Sequence, residues 1–318
     1  MDNWRGNDNN RDQEIIDCYP SCQQFTQSDL WFYVNKNDIE LISSTLELLT
    51  PEQTMAAVTG RRGGMTLLHL ACKKGNSIVI KKLVLAGAFL EAKSFETSGI
   101  GRTPLQEASC CGNLAACQEL CFLGADPTAR DENGATALII AVRQQHVPVV
   151  ECLLAMPLVR EQINAQENNG STALCVASKQ LDAAMVAILV AHGADCNVGM
   201  CDDGMTCLLA SIKGSCMHCC KALLSAGAKT AAAATCSALG TCTKLTPLEA
   251  AAHHASVDVV VLLEESGCVV SKELKATVLK IAAVKHGCLS EIYRCLSLLT
   301  VSPTHLELLV SHRHVYRC

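Results

Sequence analysis

Thr66-Leu67-Leu68-His69-Leu70-Ala71 and Thr103-Pro104-Leu105-Gln106-Glu107-Ala108 are two versions of one pattern, and the chain repeats it. Thr136-Ala137-Leu138-Ile139-Ile140-Ala141, Thr172-Ala173-Leu174-Cys175-Val176-Ala177, Thr206-Cys207-Leu208-Leu209-Ala210 and Thr246-Pro247-Leu248-Glu249-Ala250-Ala251 follow in phase. Successive threonines are 37, 33, 36, 34 and 40 residues apart, the differences between their numbers. A period of this size marks stacked supersecondary units, each unable to bury its apolar face alone.

Each unit carries its own punctuation. Thr is a good N-cap, because its hydroxyl accepts from the open amides of a helix's first turn. Pro104 and Pro247 then stand at the first helical position, where a missing N–H costs nothing. The Leu and Ala that follow predict a short inner helix, closed at Gly75 or Gly112 by the left-handed cap that glycine tolerates. An apolar run such as Ile78 to Ala86 predicts an outer helix. It ends on a second marker that keeps step with the threonines: Gly87-Ala88, Gly124-Ala125, Gly193-Ala194, Gly227-Ala228 and Gly267-Cys268. The third unit lacks that glycine and runs through Met156-Pro157 to Ile163-Asn164-Ala165. Asp131-Glu132-Asn133-Gly134 and Asp202-Asp203-Gly204 have turn composition and are placed in the connecting fingers.

On these motifs the chain resembles the ankyrin-repeat family from about residue 30 to about residue 300. The resemblance implies an all-α solenoid of six to eight helix-turn-helix units joined by β-hairpin fingers, with degenerate repeats at both ends. Residues 28–300 are assigned to it, with the clear repeats at about 62–270. Leu30-Trp31-Phe32-Tyr33-Val34 and Asn37 to Ile42 read as a degenerate first pair with Ser28 or Asp29 as N-cap. Leu279 to Gly287 and Ile292 to Leu296 read as a seventh pair, and 301–318 as a short helix or tail. Residues 1–27, rich in Asn, Asp, Arg and Gln, are expected to be disordered. Fingers are extended by insertions at 93–101 and at 230–244, and the second, small and weakly charged, is expected to be mobile.

Composition agrees. Apolar residues make up 49% of the 318 but aromatics only 3%, so the core is built of Ala, Leu, Val, Ile and Cys. A net charge of −5 gives no reason to expect nucleic acid. No run of eighteen apolar residues predicts a membrane span. The start, Met1-Asp2-Asn3-Trp4-Arg5, lacks the apolar core of a signal peptide, and Asp2 stands where myristoylation needs a glycine. Cys318 is misplaced for prenylation. The expectation is a monomeric cytoplasmic protein, compatible also with the nucleus. In that setting the 21 cysteines are expected to be reduced, and most fall on apolar helix faces.

The densest set of metal-type side chains is Cys216-Met217-His218-Cys219-Cys220. Alignment of the repeats puts Cys219 and Cys220 where Val79 and Ile80 stand, so core thiols are the better reading than zinc, which wants four ligands. Cys18 and Cys22 make only half a site, and Cys110-Cys111 reads as a half-buried pair at an inner-helix end. His253-His254 suits the negative end of a helix dipole. In the resemblance His69 is a structural clamp between neighbouring turns. No phosphate loop, Gly-x-Ser-x-Gly elbow or His-Glu-x-x-His is present. No catalytic, cofactor-binding or metal residue is assigned, and no cofactor is expected.

The resemblance implies a concave surface of inner helices and finger tips that binds a partner protein. The inner-helix ends carry Lys73, Lys74, Arg143, Gln144, Gln145, Lys179, Gln180 and Lys213. The finger tips carry Glu96, Asp131, Glu132, Glu167, Asp202 and Asp203. A basic strip beside an acidic one is therefore expected along the groove. The function expected is a scaffold, adaptor or inhibitor without catalysis. A ubiquitin-ligase adaptor using 271–318 to recruit the ligase is the alternative, although no convincing Leu-x-x-x-Cys box is found there. A cysteine- or zinc-dependent enzyme ranks below both.

Overall fold

The first turn of each inner helix is set by its threonine. In the computed structural model, which describes residues 27–95, 100–199, 205–230, 234–236, 243–253 and 257–267, the Oγ1 of Thr103 and of Thr136 accepts from the amide three residues on at 3.4 Å. The same bond recurs at 3.2 Å from Cys175 to Thr172 and at 3.3 Å from Leu209 to Thr206 and from Glu249 to Thr246. Each contributes about 1 kcal/mol and fixes where a helix begins.

In chain order the elements open with α1 (Gln27–Lys36), α2 (Ile39–Leu48), α3 (Pro51–Thr59) and the strands β1 (Arg61–Arg62) and β2 (Met65–Thr66). Helix pairs follow: α4 (Leu67–Lys74) with α5 (Ser77–Leu85), α6 (Pro104–Cys111) with α7 (Leu114–Phe122), and α8 (Ala137–Arg143) with α9 (Val147–Leu154). A short α10 (Pro157–Glu161) precedes α11 (Ala173–Gln180) with α12 (Ala183–Ala191), and α13 (Cys207–Lys213) with α14 (Met217–Ser225). The strands β3 (Ala234–Cys236) and β4 (Thr243–Leu245) lead to α15 (Pro247–His253) and α16 (Val257–Glu265).

The inner helices pack in one row, α1, α4, α6, α8, α11, α13 and α15, and the outer helices in a second row behind it. Two positions of the repeat explain the packing. Two residues after each threonine stand Leu68, Leu105, Leu138, Leu174, Leu208 and Leu248, all buried. Five residues after it stand Ala71, Ala108, Ala141, Ala177, Ser211 and Ala251, none more than 1% exposed. Small side chains there let helices approach closely, and the leucines fill the space between layers. Ser211 fits among the alanines because its hydroxyl donates to the Cys207 carbonyl at 3.1 Å.

His69 is fully buried and bridges two repeats, as expected of a clamp. Its Nδ1 lies 2.7 Å from Thr66 Oγ1 and its Nε2 lies 2.9 Å from the Arg102 carbonyl oxygen. These partners imply that Nε2 carries the proton. Gln106 performs the same task one repeat later: its Oε1 accepts from the Thr103 amide at 2.8 Å, and its Nε2 donates to the Ala135 carbonyl at 3.1 Å. At the turn between helices, Gly112 is left-handed, and a Cβ there would stand 2.7 Å from the His146 ring. His146 needs that space, since its Nε2 reaches the Cys110 carbonyl of the preceding repeat at 3.2 Å.

One expectation is corrected, and several features are added. Helix α1 starts at Gln27, so Ser28 and Asp29 sit in its first turn rather than at its cap, where Asp29 favours the positive end of the dipole. The phasing does not anticipate α3, which rests on a local signal: Thr50 and Gln53 form a capping box around Pro51 at the first helical position. Insertion 230–244 contains part of a hairpin, with Ala234 paired to Leu245 and Cys236 to Thr243. In the third unit α10 occupies the segment without the glycine, and Val159 and Ile163 bury there. Residues 1–26, 231–233, 237–242 and 268–318 lie outside the described residues, and with them the disordered tail, Cys18, Cys22, the seventh pair and the 301–318 helix; so does His254.

Of twelve cysteines whose side chains are described, all are thiols and seven are buried: Cys72, Cys117, Cys175, Cys196, Cys207, Cys219 and Cys220. Burial pushes Cys117 and Cys220 up to about 12 from an ordinary 9.0.

Two outcomes follow from these contacts. His69→Ala should cost about 2–4 kcal/mol in urea unfolding, since it opens a cavity and strips the Arg102 carbonyl of its donor. His69→Gln should recover most of that, as Gln106 does the same work. The thiols set a pH window. Above the ordinary value of 9.0 the unfolded chain releases protons that the folded chain keeps up to about 12. Their contribution is therefore whole below that window and is lost as pH climbs through it. Under reducing conditions the urea midpoint should fall across the window, and less steeply in Cys117→Ala.

Candidate protein-binding surface

The concave face is made of fingers laid against the inner row. Among the first four fingers, single backbone bonds tie one finger to the next: the Phe95 amide donates to Gly64, Glu132 to Ile100 and Asn168 to Asn133, each at 2.9 Å. These bonds hold the tips in register, so side chains on them are carried by a fixed frame.

The sites expected from sequence divide into two groups. Lys73, Lys74, Gln144, Gln145 and Lys179 are exposed at inner-helix ends, and Lys213 is half-buried. Glu132 is exposed on its finger. Four others are committed within the stack. Asp131 is 7% exposed, and its Oδ1 accepts from the Asn133 amide at 2.9 Å and the Ala135 amide at 2.8 Å. That carboxylate builds the turn, an Asx arrangement, instead of offering charge at the tip. Gln180 Nε2 donates to the Arg143 carbonyl at 2.7 Å and closes the end of α8. Arg143 pairs with Glu167 at 2.5 Å, and their side chains are 40% and 4% exposed. A carboxylate that deep requires a partner, so this pair joins the two expected strips across the groove and cancels their charge there. Glu96, Asp202 and Asp203 lie outside the described residues.

The structure adds a feature that the sequence reading missed. Arg61 and Arg62 are exposed on the first finger, whose Gly63-Gly64 turn lets β1 and β2 pair. The Arg61 guanidinium lies 5.0 Å from the centre of the Phe95 ring, and it donates to the Lys93 and Gly64 carbonyls. Phe95 is 55% exposed. Lys93 is exposed as well, so the first full repeat presents Arg61, Arg62, Lys73, Lys74 and Lys93 to solvent. The finger row thus begins basic, not acidic. The legible signal was the Arg-Arg-Gly-Gly run ahead of Thr66, a tight hairpin with charge at its edge.

The Cys111 thiol near this face is not activated. Cys110 and Cys111 are half-buried, and burial followed by the Glu107 carboxylate pushes Cys111 up. Glu107 is itself buried and lies 3.6 Å from Arg102, whose Nη1 also donates to Cys110 Sγ at 3.2 Å. A thiol raised in this way is a poor nucleophile at neutral pH. Among the described residues no three His, Cys, Asp or Glu side chains group as metal ligands, and no helix is long and apolar enough to cross a membrane.

A family model described as ankyrin repeats matches three times, over residues 30–131, 116–200 and 156–234. Among curated proteins the chain is 35% identical over 85 residues to an ankyrin repeat-containing protein of Treponema pallidum, covering 26% of this chain and 28% of that protein. It is 31% identical over 93 residues to the ADP-ribosylation factor GTPase-activating protein AGD2 of Arabidopsis thaliana, covering 29% of this chain. The match spans only 12% of the length of AGD2, so the likeness is to a segment. Among solved structures, the ankyrin repeat domain of Bcl-3, described as a unique member of the IkappaB protein family, superposes with a TM-score of 0.58 at 24% identity. That match covers 74% of this chain and 97% of the Bcl-3 domain, and it establishes the shared fold.

Arg143→Ala should destabilise the stack by about 1–3 kcal/mol, less than a fully buried pair because water reaches the arginine. Adding Glu167→Gln should recover most of the loss, since no buried charge then lacks a partner; a double-mutant cycle in urea measures this.

Proposed function

The chain belongs to the ankyrin-repeat family, and on that premise we propose that it serves as a non-catalytic protein-interaction module whose first repeats take an acidic segment of a partner protein. Ankyrin repeats are in general protein-binding modules, and their fold is typically non-catalytic. The observation that carries the finer reading is that the first full repeat exposes five basic residues, Arg61, Arg62, Lys73, Lys74 and Lys93, in a chain whose net charge is −5. Farther along, Asp131, Arg143, Glu167 and Gln180 are engaged with the stack itself. Charge available to a partner is therefore concentrated in the first full repeat, with the Phe95 ring beside it as an apolar contact. Exposed charges of one sign steer an oppositely charged partner and weaken with salt.

The scaffold, adaptor and inhibitor roles all use such a surface, and the partner's identity separates them. A photo-crosslinking residue placed at Arg62 or Lys74 of the full chain should form adducts with the partner in cells. The same probe at Gln118, exposed on the outer helix α7, should not. Adducts from Gln118 alone would move the binding surface to the convex side. Once a partner is in hand, Lys73→Glu with Lys74→Glu should weaken it by about tenfold, near 1.4 kcal/mol. Affinity should also fall as salt rises from about 0.05 to about 0.5 M, roughly the range over which the Debye length drops below 10 Å. Equal affinity across that range would overturn the electrostatic reading.

A further inference from the structure

The run Cys216-Met217-His218-Cys219 is not absorbed by the binding surface. It lies at the opposite layer, where Cys216 is the N-cap of α14 and Cys219 stands in its first turn. The two Sγ atoms are 3.1 Å apart. Cys216 is half-buried, and Cys219 is fully buried. Elsewhere Cys175 and Cys207 lie as close, at 3.2 Å, but both are sealed in the core and no oxidant reaches either.

We propose that Cys216 and Cys219 are a reversible dithiol–disulfide modification site, with Cys216 as the entry thiol and Cys219 as the resolving thiol. The geometry is close to that of a bond: sulfurs at 3.1 Å need about 1 Å of side-chain movement to reach a disulfide length near 2.05 Å. Exposure assigns the order, because an outside disulfide meets only Cys216. Burial raises the Cys219 thiol well above its ordinary value, with the adjoining Cys216 adding to the effect. Cys219 therefore stays protonated and inert toward outside reagents until a sulfur is held against it, where proximity drives the attack.

With glutathione disulfide as oxidant the exchange balances. Cys216 gives up its proton, and its sulfur attacks one sulfur of the oxidant, breaking the S–S bond and releasing a glutathione thiolate that takes the proton. Cys219 then loses its proton to a second departing glutathione thiolate as its sulfur attacks the Cys216 sulfur of the mixed disulfide. The protein dithiol is oxidised by two electrons, and one glutathione disulfide is reduced to two glutathione thiols. The product alters the joint between two repeats. Cys216 Sγ lies 3.7 Å from the Leu181 carbonyl oxygen of the preceding repeat, and a disulfide has no S–H to offer it.

The test is differential alkylation of the full chain, read peptide by peptide in a mass spectrometer. After incubation with glutathione disulfide, alkylation of Cys216 should fall about tenfold and return with dithiothreitol. The peptide holding both residues should lose the mass of two hydrogens. In Cys219→Ser the resolving thiol is missing, so glutathione should remain attached to Cys216. The wild-type mapping needs no variant and stands even if Cys219→Ser folds poorly. Undiminished alkylation of Cys216 would overturn the proposal, as would glutathione persisting on Cys216 in the wild-type chain.

Discussion

A helix of seven to nine residues does not hold its shape in water, because the cost of nucleating it is spread over too few hydrogen bonds. Every helix from α4 to α9 is that short, so each depends on its neighbours in the stack for stability. The dependence is met in two ways. Leucines and alanines at fixed distances from the threonine bury between layers. Polar groups that a repeat cannot satisfy by itself are satisfied by the next one, as His69 does with the Arg102 carbonyl and Asn113 with the carbonyls of Cys72 and Lys73. The unit of stability is thus the junction between repeats.

That economy decides which polar residues are left for a partner. Asp131, Arg143, Glu167 and Gln180 look alike in sequence to Lys73, Lys74 and Glu132, since all stand at helix ends or finger turns. The first group closes turns and junctions, and the second reaches solvent. The concave face is accordingly less charged in its middle than a list of residues suggests, and more basic at its beginning.

Cysteine takes part in the same scheme. It serves as a small apolar residue where other repeats use Val or Ile, as Cys219 and Cys220 do in α14. In the clamp position it is a weak substitute: Cys175 stands where His69 and Gln106 stand, and its Sγ reaches the Val198 carbonyl only at 4.0 Å. Cys216 differs from the buried thiols because an N-cap position leaves its sulfur partly open while its partner lies one turn below.

The repeat, the start of each inner helix and the leucine and alanine of the core are legible in the sequence, and the resemblance to ankyrin repeats implied the clamp at His69. These are local and periodic: a cap acts within four residues, and a repeated position finds the same environment in each unit. The burial of seven of the twelve described cysteines agrees with the same alignment. Which polar residues are left to face solvent depends on tertiary contacts, because the partners of Arg143 and Gln180 come from residues 24 and 37 positions away. Tertiary structure also decided the basic face of the first finger, where Arg61 is set against Phe95 from the following finger. Neither contact leaves a periodic trace, since each joins unlike residues across a junction that occurs once.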